Sequence, residues 1–252
     1  MYKSTEAKVS PVAVSSRTTK NVRNANMKIS EIFESIQGEG TNAGKSAIFL
    51  RTSECNLKCT WCDTKYTWDW NNFDYSKEVK EIPIQEIRQI LEQSSIMHLV
   101  ITGGEPLMQQ DDLTELLVLL KPEFYVEVET NGTILPNNTI LALVDQWNVS
   151  PKTKNSGNPL ELCEDNECYA FFSKQKNCYF KYVVENEDDL IEINNLVEKH
   201  RLEKNRVLLM TQAATKEEIL EREKTVFSIS KKNNLGFSPR MHVMKWGNQR
   251  GK

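Results

Sequence analysis

No run of apolar residues in this sequence approaches the roughly 18 that suggest a membrane span, and its first residues carry no apolar core of the kind a secretory signal needs. Both absences point to a soluble, intracellular protein of the cytoplasm. Charge of one sign is missing too. The 32 basic and 35 acidic side chains leave a net charge of −3, too near neutral to argue for a nucleic-acid groove or an anionic membrane surface. Small molecules are therefore the expected partners, with no nucleic acid and no membrane. No internal repeat stands out. Six cysteines are present, yet in 252 residues without a signal an even count does not imply a disulfide framework. The last absence is local: Cys55, Cys59 and Cys62 have no fourth cysteine beside them.

Those three cysteines lie in the stretch Arg51 to Thr64, R-T-S-E-C-N-L-K-C-T-W-C-D-T, directly after the apolar run Ala47 to Leu50. One short loop can bring three thiolates to one metal centre without recruiting distant chain. Structural zinc usually closes its site with four ligands, whereas an iron–sulfur cluster can leave one iron open for a small molecule. The open corner is the favoured reading, and a partial zinc knuckle completed by His98 or Cys163 is the alternative. Cys163, Cys168 and Cys178 follow no strong metal-binding spacing and read as free thiols.

With 39% hydrophobic and 27% charged residues, the chain suits one domain with a single core. Residues 1–26 are rich in Ser, Thr, Asn, Lys and Arg, with Glu6 the only acid. They read as a disordered N-terminal extension or an organellar transit segment, leaving 27–252 as the folded domain. Ile29, Ile32, Phe33 and Ile36 fit a helical period. In Gln37-Gly38-Glu39-Gly40, two glycines let the backbone pass close to a ligand. Strands are expected at Ala47–Arg51, Met97–Ile101, Phe124–Val128, Trp147–Val149, Tyr179–Val184 and Val207–Met210. Helical patterns fall at 83–93, Leu113–Leu120, Ile140–Val144, Asp188–His200 and about Lys216–Lys231.

The fold class is thus α/β, a partial (β/α)6 TIM-like barrel with fewer units than the eight of a closed one. An irregular insert, Thr153 to Asn177, reads as a lid or a surface excursion. Ligands collect at the carboxyl ends of parallel strands. Cys55–Cys62, Thr102–Pro106, Glu129–Gly132, Ser150–Lys152 and Thr211–Gln212 would therefore ring one mouth. Trp68 and Trp70, with Tyr66 and Phe73, form either a base-stacking platform or a core or dimer contact.

The cysteine spacing after a strand resembles the cluster loop of the radical S-adenosylmethionine (SAM) enzymes. Thr102-Gly103-Gly104-Glu105-Pro106 resembles the strand end where they hold the methionyl ammonium of SAM, with Glu105 supplying charge. The partial barrel would then be of the radical SAM type, and 27–252 its catalytic domain. Glu31 to Gly40, Ile48 to Arg51, Cys59 to Thr64, Glu129 to Gly132, Ser150 to Lys152 and the tail Ser238 to His242 are similar to the 7-carboxy-7-deazaguanine synthases. The likeness runs over residues 27 to 247.

That resemblance implies a lyase of queuosine or archaeosine (7-deazapurine) biosynthesis. Such enzymes convert 6-carboxy-5,6,7,8-tetrahydropterin to 7-carboxy-7-deazaguanine by radical ring contraction with loss of ammonia. A 5′-deoxyadenosyl radical would take the hydrogen, so no catalytic acid or base is expected from the protein. The implied cofactors are a 4Fe-4S cluster on Cys55, Cys59 and Cys62, SAM, and Mg²⁺ on Thr64, a hard cation suited to oxygen. Trp61, Gly104, Glu105, Ser150, Pro151, Lys152 and Gln212 would contact SAM. Ile36, Gln37, Gly38, Glu39, Arg51, Thr102 and His242 would hold the pterin, with Arg51 clamping its carboxylate through a two-pronged donor geometry that lysine lacks. A homodimer and an external electron donor, flavodoxin- or ferredoxin-like, are also implied. Competing readings are a glycyl-radical enzyme activating enzyme, which shares the cysteine spacing, and a non-catalytic metal-binding interaction module.

Overall fold

The computed structural model describes residues 25–252. The extension expected over 1–26 lies outside them except for Ala25 and Asn26, which already belong to the sheet edge: Asn26 pairs with Pro83, and Ala25 O accepts from Ile84 N at 3.1 Å. Among the described residues nine strands form one sheet: β1 (Asn26–Ile36), β2 (Ser46–Thr52), β3 (Lys80–Pro83), β4 (His98–Gly103), β5 (Tyr125–Thr130), β6 (Gln146–Val149), β7 (Cys178–Val184), β8 (Val207–Thr211) and β9 (Gly236–Ser238). Their order is β3-β1-β2-β4-β5-β6-β7-β8-β9. From β2 onward every pairing is parallel, and β1 runs antiparallel to both its neighbours. The edges β3 and β9 do not pair, so the barrel is partial, as expected. The helices are α1 (Tyr75–Glu78), α2 (Ile84–Glu92), α3 (Gln110–Leu120), α4 (Asn138–Leu143), α5 (Leu160–Cys163), α6 (Asn166–Phe172), α7 (Asp189–Lys199), α8 (Lys216–Lys232) and α9 (Met241–Trp246).

Parallel strands need crossover connections, and here helices supply them. Each presents an apolar stripe to the sheet: Ile84, Ile87 and Leu91 on α2, and Leu113, Leu116, Leu117 and Leu120 on α3. These stripes meet the outward residues of the strands, including Ile48, Leu50, Leu99, Ile101, Val126, Val128 and Trp147, in one continuous core. The inner face differs. It carries a small apolar group of Ala47, Phe49 and Val100, and around it His98, Glu127, Gln146, Asn148 and Lys181, none more than partly exposed.

β1 overturns the helical expectation for Ile29 to Ile36. A register shift between Ile29 and Glu31 opposes Thr52 and Arg51, so Ser30 is an extra residue in the strand. The bulge returns Ile32 to the face of Ile29, three residues on, where both meet the main core. Phe33 turns inward and stacks on Phe49 at 5.0 Å. A bulged strand thereby imitates the i, i+3, i+4 spacing of a helix. The insert from Thr153 is more ordered than expected, holding a short 3-10 turn, α5 and α6. Trp70 packs on Tyr75 and Tyr66 on Phe73, while Trp68 donates its indole N–H to Cys62 Sγ.

Candidate active site

The carboxyl ends of β2, β4, β5, β6, β7 and β8 open onto one cavity, and the loop after β2 forms one of its walls. Cys55, Cys59 and Cys62 all line it, and none is in a disulfide. Each sulfur receives one N–H: Leu57 N at 3.4 Å on Cys55, Asn158 Nδ2 at 3.3 Å on Cys59, and Trp68 Nε1 at 3.4 Å on Cys62. Burial pushes the Cys55 thiol up to about 12 and raises that of Cys59. Bound iron would reverse this, because coordination deprotonates a thiol outright. Three N–H groups aimed at three sulfurs are the outer-shell donors that thiolate ligands of a cluster use, so the residues present fit such a group.

A single-ion site fits less well. Among the described residues no group of three His, Cys, Asp or Glu side chains is arranged to hold one metal ion. His98, offered as a fourth zinc ligand, begins β4 at the opposite end of the barrel, where its Nε2 lies 2.9 Å from Glu127. Cys163 does pack beside Leu57 and Cys59.

Of the residues expected at SAM, Trp61, Gly104, Ser150, Lys152 and Gln212 line the cavity, while Glu105 and Pro151 do not. Trp61 donates its indole N–H to Asn155 O at 3.0 Å and carries Lys152 Nζ 5.9 Å above its ring. Lys152 also donates to Ser150 Oγ at 3.0 Å. Glu105 is fully buried, and it accepts from Leu107 N at 3.0 Å, Thr130 Oγ1 at 2.9 Å and Asn131 N at 2.7 Å. Burial raises its carboxyl. These three bonds brace the end of β4 against the turn after β5. Gly104 is required by packing as well, since a Cβ there would stand 1.9 Å from Glu54 O on the cluster loop.

All seven residues expected at the pterin line the same cavity. Arg51 donates Nε to Glu31 Oε2 at 3.0 Å, directly across from it on β1. Its two terminal nitrogens make no hydrogen bond with any described residue, and Arg51 is partly exposed. Thr102 Oγ1 donates to Glu129 Oε2 at 2.8 Å. Gln37 is spent differently. It is 2% exposed, its Nε2 donates to Glu127 at 2.6 Å and Glu129 at 3.3 Å, and its Oε1 accepts from Glu39 N at 3.1 Å. Its side chain therefore shapes the loop, and Glu39 is the polar group that loop presents. At Gly38 a Cβ would stand 2.0 Å from His242 Nδ1, so the glycine admits α9 to the wall.

Glu39 stands at the centre of a charge web. Burial alone would raise its carboxyl, but Lys181, Arg240 and His242 together hold it well below the carboxylate range. Arg240 bridges Glu39, 3.0 Å away, and Asp63 on the cluster loop. Lys181 pairs with Glu39 and lies 3.6 Å from Glu129, and this partnership overcomes the effect of burial to raise its ammonium above the ordinary lysine value. Burial first, with Arg240 adding to it, lowers His242. No local motif marks Lys181 or Arg240 as a site residue. The available signal for Lys181 was a lysine in a run of buried strand, Y-F-K-Y-V-V, where a cation needs an anionic partner.

A protein-family model described as a 4Fe-4S single cluster domain matches residues 36–150. The 7-carboxy-7-deazaguanine synthase of Pyrobaculum aerophilum is 37% identical over 228 residues, covering 90% of this chain and 97% of that protein. The enzyme of the same name from Hyperthermus butylicus is 31% identical, covering 91% and 97%. The crystal structure of QueE from Escherichia coli superposes with a TM-score of 0.67 at 25% identity, over 86% of this chain and 95% of that one. With coverage near complete on both sides at these identities, the chain belongs to the 7-carboxy-7-deazaguanine synthase family.

Proposed function

We propose that this chain converts 6-carboxy-5,6,7,8-tetrahydropterin to 7-carboxy-7-deazaguanine with loss of ammonia, using a 4Fe-4S cluster on Cys55, Cys59 and Cys62 together with SAM. The single observation that carries the reading is one cavity holding both halves of the chemistry: three free thiols, each with its own N–H donor, and the uncommitted end of Arg51. When bound, the cluster and SAM supply the one-electron chemistry by which a hydrogen atom leaves the substrate.

The chain's own groups bind and orient. Arg51, held by Glu31, offers two parallel N–H groups to the substrate carboxylate. Glu39, kept ionised by Lys181 and Arg240, is an acceptor for N–H groups of a pyrimidine ring. Ile36, Gly38, Thr102 and His242 complete that wall, while Gln37 acts by fixing the loop. Trp61, the Gly104 backbone, Ser150, Lys152 and Gln212 are assigned to SAM. Thr64, whose hydroxyl makes only a 3.6 Å contact with Cys62 Sγ, is assigned to Mg²⁺. The free end of Arg51 and the ionised Glu39 suit a pterin carboxylate and ring, groups that the glycyl loop of a protein substrate lacks.

An external low-potential donor, flavodoxin- or ferredoxin-like, and a homodimer in the cytoplasm complete the proposal. No described helix is long and apolar enough to cross a membrane. The test is mass spectrometry on anaerobically reconstituted protein with SAM, dithionite, Mg²⁺ and the carboxylated tetrahydropterin. Formation of 7-carboxy-7-deazaguanine is expected. SAM cleavage without it would overturn the substrate assignment, and a preparation holding zinc with no iron or sulfide would favour the binding module.

A further inference from the structure

The segment Lys154 to Asn158, at the head of the insert between β6 and β7, lies along the cluster loop. Thr60 N donates to Ser156 O at 2.9 Å, Thr60 Oγ1 reaches the same oxygen at 3.3 Å, and Trp61 Nε1 donates to Asn155 O at 3.0 Å. Farther along the insert, Cys163 packs with Leu57 and Cys59. Asn158 is the polar centre of this contact. Its Oδ1 accepts from Lys58 N at 2.7 Å, which decides the orientation of an amide that is otherwise ambiguous. The amide nitrogen then faces inward, 3.3 Å from Cys59 Sγ and 3.1 Å from Ser156 Oγ. The cysteine motif itself supplies the donor to Cys55 through Leu57 N, and the short aromatic segment after it supplies Trp68 to Cys62. Only Cys59 takes its donor from a distant part of the chain.

We infer that Asn158 is a positioning residue for the cluster: its carboxamide N–H donates to the Cys59 sulfur and raises the reduction potential, and the head of the insert serves to carry it there. The inference rests on the cluster assignment above. Uptake of one electron from the external donor adds negative charge that spreads onto the sulfurs. A fixed N–H dipole stabilises the reduced form more than the oxidised one, so its removal drives the potential negative. A merely structural asparagine would hold the loop through Lys58 and Ser156 and leave the potential where it is.

The test is an EPR-monitored redox titration of the anaerobically reconstituted full chain without substrate, comparing the parent with Asn158→Leu and Asn158→Ala. Expected are parent-like iron and sulfide contents and, at a fixed applied potential, an about threefold to tenfold lower ratio of reduced to oxidised cluster, equivalent to a shift of about −30 to −60 mV for one electron. A fully loaded Asn158→Leu protein with the parent's potential would overturn the inference. If that variant fails to load, Asn158→Ala decides, because it removes the donor without adding bulk or charge. A more negative potential there upholds the role; an unchanged potential, or loss of the cluster from both variants, overturns it. Because no substrate is present, failure of the turnover assay leaves this result standing, whereas a parent protein that binds no iron or sulfide removes the cluster assignment and the inference together.

Discussion

The two faces of the sheet are made by the same strands and obey opposite rules. On the outer face Leu99, Ile101, Val126 and Val128 are fully buried against α2 and α3, and any side chain of similar shape would serve there. On the inner face their sequence neighbours are paired one by one. Glu127, fully buried, accepts from Gln37 and Asn42 at 2.6 Å each, lies 2.9 Å from His98 Nε2, and is also bonded by Asn148. A buried carboxylate is tolerable only with all its lone pairs used, so each inner-face residue dictates its neighbours. The outer face holds the barrel together, and the inner face converts that rigidity into fixed positions for Gln37, Glu39 and Arg51.

The largest effects should separate the mouth from the outer face. Cys59→Ala should abolish iron and sulfide uptake and all turnover while leaving thermal unfolding of the metal-free protein nearly unchanged. Measurable turnover from that variant would remove Cys59 from the ligand set. Leu99→Ala should do the reverse, costing about 2–5 kcal/mol in urea unfolding through a core cavity and keeping the parent's turnover per folded, cluster-loaded molecule. If Leu99→Ala instead changed KM at constant stability, the division of labour between the faces would be wrong.

The same contrast explains what could be seen in the sequence. Outer-face residues announce themselves by apolar runs and helical stripes, so all six parallel strands from Ala47 to Met210 and the five helical patterns are legible within a few residues. The thiol loop and the turns Thr102–Pro106, Glu129–Gly132 and Ser150–Lys152 are legible because short motifs carry them. β1 imitates a helix because its bulge changes the phase of alternation, and β9 is illegible because Gly236–Ser238 has a single apolar residue. The web of Lys181, Glu39, Arg240 and Asp63 joins four distant segments. No local pattern encodes such a pairing, nor does one show the three hydrogen bonds that Glu105 accepts.

A smaller effect should come from the charge web. Glu39→Gln leaves Lys181 with Glu129 and Arg240 with Asp63, so the expected cost at neutral pH is about 1–3 kcal/mol. Its pH dependence has a definite sign. The Glu39 carboxyl is held below its ordinary value of 4.5, so the unfolded chain binds the proton first as pH falls. The stability it contributes is complete above pH 4.5 and is lost as pH falls toward the depressed native value. The gap in urea midpoint between parent and variant should therefore be constant from pH 7 to about 5 and narrow from there toward pH 3. Parallel curves would show that Glu39 is not the ionised centre of the web.

Arg51 joins the two regimes, since its guanidinium lies over Phe33 on the inner apolar patch, 5.6 Å from guanidinium carbon to ring centroid, while Glu31 holds its Nε. Arg51→Lys keeps the charge and the contact with Glu31 but removes the parallel N–H pair that a carboxylate accepts. Losing one of two charge-assisted hydrogen bonds predicts an about tenfold rise in KM for the carboxylated tetrahydropterin. A clamp that holds substrate and transition state alike leaves kcat little changed. Steady-state kinetics on the loaded enzyme, with iron content matched, would show it. A fall in kcat at constant KM would instead mean that Arg51 acts during the reaction, and a carboxylate clamp would no longer describe it.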